Sequence, residues 1–358
     1  MHIRLYVSAH GFGHATRCSA VLKELGKIAP DLKVSIRSAA PARIFFRDVE
    51  LSLDLTHQKN DVGVVQNDGL SLDAAATLTR YRDFLANREP LLTAEAESLH
   101  RDRVDLVLGD IPPLAFRAAH RAGVRSVAMC NFDWSWIYAS WPEAGDCVQS
   151  IREDYALAHR LLRLPFHDRM DAFTDIEDVP LVGRRAHVGR TAVRQRIGLK
   201  QSASVVLLSF GGMGLGAAGL EDLGQIRDHT FISVGEITPP GGHYLSEATL
   251  HSLQLGYEDL VGAVDAVVTK PGYGIVSECA VNRTAMLYTD RGAFREYEIF
   301  ERQIKDYFPA LYVTQDQVRS GQLAEALDTL QTIPWPSSPP PADGALTVAQ
   351  RLLELADS

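Results

Sequence analysis

The 358-residue sequence predicts an α/β fold in two halves, each a parallel sheet covered by helices. Three observations carry this. Apolar runs of strand length alternate with segments of helical spacing along the chain. Three glycine-rich turns, at residues 8–14, 210–216 and 270–274, each follow a strand candidate, and the first and third lead into a helical pattern. The length suggests about two domains of roughly 150–200 residues.

In chain order, Ile3, Leu5 and Val7 alternate as in a strand, and Ser8-Ala9-His10-Gly11-Phe12-Gly13-His14 is the turn. Cys18, Val21, Leu22, Leu25 and Ile28 then keep helical spacing. Thr16 stands where a dinucleotide fingerprint needs its third glycine, which disfavours a nicotinamide or flavin site. His14, at a helix start on the carboxyl edge of the first strand, is placed where open α/β sheets bind ligands, and a neutral imidazole there can accept a proton from a hydroxyl. The opposing reading is that it only caps or packs. Residues 33–38 read as a strand, 78–101 as mostly helix interrupted at Pro90, and 105–108 and 126–129 as strands. Asp110 follows the third of these directly, either beside the first turn or capping the helix at Pro112.

Residues 131–141, NFDWSWIYASW, hold three of the four tryptophans, for sugar stacking or for core packing. A basic connector follows, punctuated by Pro180 and Gly183. The strand 205–209 opens the second half and ends in Phe210-Gly211-Gly212-Met213-Gly214-Leu215-Gly216, a turn of phosphate-cradling type without the P-loop lysine. Strand signals recur at 230–234, 264–269 and 284–288. The last precedes Arg291, Glu296 and Glu298, which either bind sugar hydroxyls or lie solvated on a surface helix. Residues 335–341, WPSSPPP, read as an extended linker, and Leu346, Val348, Ala349, Leu352, Leu353 and Leu355 as a closing amphipathic helix. The implied domains are 1–182, 183–335, and a linker with closing helix at 336–358.

The third turn, Thr269 to Glu278, is the strongest ligand-site candidate. A helix start exposes backbone N–H groups at the positive end of the dipole, so a phosphate is held by groups already oriented. Gly272 and Gly274 permit close approach, and Glu278 can accept from two ribose hydroxyls. A first-turn glutamate also complements a helix dipole with no ligand present.

A net charge of −9 argues against a nucleic-acid partner. Four scattered cysteines, with no CxxC pair, argue against a metal centre or a disulfide framework. No apolar run is long enough for a transmembrane segment, and the N-terminus shows no secretory signal, so the expected location is cytoplasmic. No cofactor is expected.

HGFGHATR at 10–17, NFDWSWIY at 131–138, RLLRLP at 160–165, DVPLV at 178–182 and KPGYGIVSE at 270–278, in this order, resemble the GT-B glycosyltransferases. More narrowly they are similar to the glycosyltransferase-like N-terminal region of L-arabinokinases. A more distant likeness is to the lipid-linked N-acetylglucosaminyl transferases of cell-wall synthesis. The resemblance implies two Rossmann-like, doubly wound domains facing a cleft. No kinase motif is present, so arabinose phosphorylation is not implied. It further implies that Gly11, Gly13 and His14 face an acceptor, that Gly211 and Gly212 face a diphosphate, and that Glu278 holds a ribose. Phe12 inside the first loop, and Arg17 where the cell-wall enzymes favour proline, leave the acceptor class open.

The expected function is transfer of a sugar from a nucleotide-diphosphate sugar, foremost a UDP-sugar, to an unknown acceptor hydroxyl, without a metal. His14, or else Asp110, takes the acceptor proton. Backbone amides at 211–214 (Met213 included) and 272–274 (Tyr273 included), with Lys270 or Arg291, stabilise the leaving diphosphate. Arg291, Glu296 and Glu298 contact the sugar, while Phe12, Trp134 and Trp136 lie on the acceptor side. A nucleotide-sugar epimerase on the same fold, and a non-catalytic nucleotide-sugar-binding module, are the alternatives.

Overall fold

The computed structural model describes residues 1–66, 72–210, 221–234, 242–290 and 294–357. Among them fifteen strands form, and their apolar content explains their placement. The first-half strands are β1 (His2–Val7), β2 (Lys33–Ser38), β3 (Ser52–His57), β4 (Val65–Gln66), β5 (Leu72–Asp73), β6 (Leu106–Asp110), β7 (Arg125–Cys130), β8 (Arg160–Arg163) and β9 (Ile176–Asp178). The second half supplies β10 (Ser204–Ser209), β11 (His229–Val234), β12 (His243–Leu245), β13 (Ala266–Thr269), β14 (Ala285–Tyr288) and β15 (Ala310–Tyr312).

Seven strands build one sheet in the order β3-β2-β1-β6-β7-β8-β9, and six build another in the order β12-β11-β10-β13-β14-β15. Every pairing within both sheets is parallel. The β4–β5 pair is a separate antiparallel ribbon. Parallel strands need crossovers, and the crossover helices bury both sheet faces, so central strands such as β1 and β6 are buried along their whole length.

Several elements depart from expectation for local reasons. The helix expected over 78–101 is two helices, Ala74–Asn87 and Glu89–Arg101. Asp73 caps the first by accepting from Ala76 N at 2.8 Å, and Pro90 sits in the first turn of the second, where its missing N–H costs nothing. β13 starts at Ala266 because the preceding helix runs to Ala263 with Val264 as its C-cap; the Asp265 carboxylate pairs with Arg190 and Arg194. The NFDWSWIY segment holds a short helix, Trp134–Tyr138, capped by Asp133.

The closing helix, Gly344–Asp357, returns to the first half. Gly344 N donates to Leu181 O, Arg351 pairs with Glu177 at 2.6 Å, and Arg125 donates to Leu355 O at 3.0 Å. A Cβ at Gly344 would fall 2.0 Å from Pro180 O, so only glycine lets the two segments meet. All four cysteines are buried and unbridged. No helix among the described residues is long and apolar enough to cross a membrane.

Candidate active site

The carboxyl ends of β1 and β6 lie side by side, with Val7 opposite Asp110. Strand order reverses direction here, and such a switch point leaves a crevice above the sheet. The helix Gly13–Ile28 begins over it. Gly11 turns the loop with φ near +77°, a region that side chains rarely adopt. The turn directs His14 inward to 6% exposure, and its Nδ1 lies 2.9 Å from Asp110 Oδ1.

Arg17, one turn on and on the same helix face, completes the cluster. Its Nε donates to Asp110 Oδ2 at 2.7 Å and its second guanidinium nitrogen to Oδ1 at 2.5 Å. Its remaining nitrogen donates to Asn131 Oδ1, just past β7, at 2.7 Å. The Cys18 thiol donates to Asp110 Oδ2 at 3.2 Å. Burial pushes the Asp110 carboxyl up, but the charges of Arg17 and His14 and their hydrogen bonds outweigh it and hold the group at about 2. Asp110 therefore serves this cluster; the helix Pro113–Arg121 has no side-chain cap.

The second half repeats the design. Ser209 lies opposite Thr269 at the ends of β10 and β13, and the Thr269 hydroxyl donates to Ser209 O. The helix Tyr273–Asn282 follows, with Gly272 as an extended N-cap. Its first ladder bond runs from Val276 N to Gly272 O, so the amides of residues 273–275 precede the ladder.

The two helix starts meet. A Cβ on Gly274 would lie 3.1 Å from Gly13 Cα and 3.3 Å from Thr16 Oγ1. Tyr273 is buried beneath Arg17, whose guanidinium carbon stands 5.0 Å from the ring centroid, and its hydroxyl accepts from Val182 N. A second link joins the halves: Asn131 Nδ2 donates to Glu296 Oε1 at 2.8 Å, at the start of the helix Glu296–Gln303.

Glu278 is placed differently from expectation. It is 3% exposed and accepts from Arg184 Nε at 2.6 Å, so the connector occupies the carboxylate expected to hold a ribose. Burial pushes the Glu278 carboxyl up, against the pull of Arg184. Arg184 also reaches Glu258 at 3.2 Å, and Lys23, from the first half, lies 3.4 Å from the other Glu258 oxygen. Among the described residues, Asp48, His187 and Glu258 are grouped closely enough for a metal ion, but the Lys23 ammonium stands among them.

The remaining expected residues divide. Gly211, Gly212, Met213, Gly214 and Arg291 lie outside the described residues. Lys270 is half-buried beside Gly272, whereas Glu298 is exposed on the outside of its helix. Trp134 is buried, donating to Asp61 Oδ2 at 3.0 Å and packing on His10, which makes it a wall of the site. Trp136 is half-buried under Arg295, 4.6 Å from its centroid, and Phe12 is exposed at the loop tip. Beside Asp61 a cavity of about 470 Å³ opens against the helix Ala74–Asn87, with Lys59, Arg80, Phe84 and Arg88 in its wall.

Sequence reasoning missed Arg17 as a member of the site, although its spacing from His14 was a signal. It also missed Asn131, Asp61 and Arg184, whose partners are distant in the chain and leave no local pattern.

No protein-family model matches the chain. It is 32% identical over 335 residues to an L-arabinokinase of Arabidopsis thaliana, an alignment covering 90% of this chain and 31% of that one. The chain thus spans about a third of the length of that relative. It is 24% identical over 299 residues to an uncharacterized glycosyltransferase of Methanopyrus kandleri, covering 76% of this chain and 81% of that one. Among solved structures it is similar to the Phytolacca americana protein UGT2 complexed with UDP-2fluoro-glucose and pterostilbene. The TM-score is 0.61 at 13% identity, covering 99% of this chain and 94% of that one. It is also similar to the calicheamicin glycosyltransferase, with a TM-score of 0.57 at 14% identity over the same shares. These likenesses establish the fold, the two-sheet GT-B architecture of glycosyltransferases.

Proposed function

On a chain that carries the GT-B fold, we propose a glycosyltransferase that moves a hexosyl or pentosyl unit from a nucleotide-diphosphate sugar, a UDP-sugar first, to an acceptor hydroxyl. The observation that carries the proposal is the His14–Asp110 pair set directly against the uncapped helix start at Gly272–Gly274 of the other half. One side of the interface offers a proton acceptor, the other oriented amides for an anion. Glycosyl transfer needs both at once, because a hydroxyl loses a proton while a diphosphate gains charge.

With the Nδ1 proton directed to Asp110, His14 presents its Nε2 lone pair to the acceptor hydroxyl, and the carboxylate orients the ring and stabilises the imidazolium as it forms. Phe12 and Trp136 border the acceptor, and the cavity beside Asp61 leads it in. Residues 272–274, with Lys270, Arg291 and the 211–214 turn, receive the diphosphate, Glu296 and Glu298 contact the donor sugar, and Glu278 takes the ribose after Arg184 yields it. Contact between Gly13 and Gly274 requires the halves to part for the donor to enter and to close again for transfer. In this reading residues 1–182 are the acceptor domain, 183–335 the donor domain, and 336–358 the strap that ties them, acting in the cytoplasm. The reaction is taken as metal-independent, with backbone amides and Lys270 or Arg291 offsetting the charge of the diphosphate.

Incubating the protein with single nucleotide-sugar donors, with and without acceptor mixtures, tests the proposal. Acceptor-dependent release of nucleoside diphosphate is expected. Isomerised donor without acceptor would favour the epimerase, and a thermal shift with donor but no product would favour a binding module.

A further inference from the structure

We propose that Arg17 is a positioning residue that fixes the charge and orientation of the His14–Asp110 pair and ties them to the second half. The inference rests on the reading of His14 as proton acceptor. Arg17 and Asp110 are both buried, and the guanidinium fork engages both carboxylate oxygens, at 2.7 and 2.5 Å. A bidentate fork sets the carboxylate plane and, with it, the direction in which Oδ1 meets the imidazole. It also places a positive charge 3.0 Å from His14 Nδ1, so Asp110 reaches the ring as half of a neutral pair. The ring therefore meets a carboxylate whose plane, direction and charge are all set by the one guanidinium.

Other groups face the ring from each neighbouring element. Asp61, in the loop after β3, interacts with it electrostatically, and Cys18, Cys130 and Tyr273 surround the Arg17–Asp110 pair as neutral groups. The guanidinium, 3.0 Å from His14 Nδ1, is the charge to remove. Arg17 reaches across the interface as well, stacking on Tyr273 and donating to Asn131, which itself donates to Glu296. A shift of the second half therefore moves the residue that holds the base.

Two variants separate charge from geometry. Arg17→Gln removes the charge and is expected to move the acid limb of kcat/KM to higher pH, with the ratio of rates at pH 6 and pH 8 falling on the order of tenfold. Arg17→Lys keeps the charge but loses the fork; its acid limb stays in place while kcat drops about tenfold at unchanged donor KM. The same comparison is read without substrate by following the His14 imidazole resonances through a pH titration of the wild-type chain and both variants. Should Arg17→Gln be unstable, the Arg17→Lys titration and its kcat-against-KM split stand alone. A folded Arg17→Gln chain with the wild-type profile and titration, or an Arg17→Lys chain with wild-type kcat, overturns the inference. Wild-type turnover in His14→Ala overturns instead the reading of His14, whatever Arg17 does.

Discussion

The helix starts at Gly13 and at Gly272 share one local design and differ in everything that surrounds them. Each follows a central parallel strand, turns on glycine, lacks a side-chain cap and stands at the switch point of its sheet. The first draws in His14, Arg17, Asp110 and Asn131 and becomes a dense network of charges and hydrogen bonds. The second keeps its backbone amides ahead of the ladder, and its carboxylate, Glu278, turns away to Arg184 in the connector. The same strand–turn–helix grammar thus yields a buried network of charged side chains in one half and, in the other, a helix start whose first amides precede the ladder. The deciding factor is which side chains the neighbouring strands and the connector bring within reach.

The largest test of that contrast removes the carboxylate from the first helix start. Asp110→Ala leaves Arg17 buried without its main partner, and urea unfolding is expected to show a loss of about 3–5 kcal/mol. Arg184→Met, the corresponding change at the second start, leaves Glu278 free to take up a proton. Its expected loss is smaller, and an equal loss in the two variants would remove the distinction.

His14→Ala comes next. Turnover should fall about 10²-fold or more while nucleotide affinity measured by calorimetry is kept, because the amides lie on the other half. Loss of binding with loss of turnover would place His14 at the donor instead.

The glycine contact sharpens the comparison further. Gly274→Ala drives a methyl to 3.1 Å from the Gly13 backbone and should cost about 1–3 kcal/mol, despite the better helix propensity of alanine. In Gly13→Ala the nearest atom is at 3.4 Å, an ordinary contact, so its melting temperature should stay near that of the parent. The reverse order would mean the halves meet elsewhere.

Acid stability follows from the lowered Asp110 pKa. The group is at about 2 in the folded chain against 3.8 unperturbed, so the stabilisation is present above pH 4 and is lost as pH falls from about 4 to 2. Asp110→Asn should flatten that part of the stability curve. The smallest effect is expected at Arg43–Glu247, which also joins the halves but through two exposed side chains. Arg43→Ala should change stability by about 0–1 kcal/mol, less at high salt.

Much of the fold was legible because burial imposes a period. Strands covered on both faces read as continuous apolar runs, as at 205–209, and helices on one sheet face read as 3.6-residue spacing, as from Cys18 to Leu25. The short edge strands β9, β12 and β15 were not legible, since three paired residues leave no pattern. In the site, His14 and Asp110 were legible because Asp110 ends a central strand, His14 lies one glycine turn past another, and the carboxyl ends of parallel strands share one edge.

The amino-acid order alone determined the alternation of strands and helices, the glycine turns ahead of Gly13 and Tyr273 and the position of each chemical group along the chain, since these follow from local sterics and side-chain periodicity. Tertiary structure alone decided that Arg17 clamps Asp110, that Glu278 belongs to Arg184, and that Gly13 touches Gly274. Those pairs are separated by 93, 94 and about 260 residues. Contacts closed over such loops depend on how whole sheets pack, and no window of sequence contains both partners.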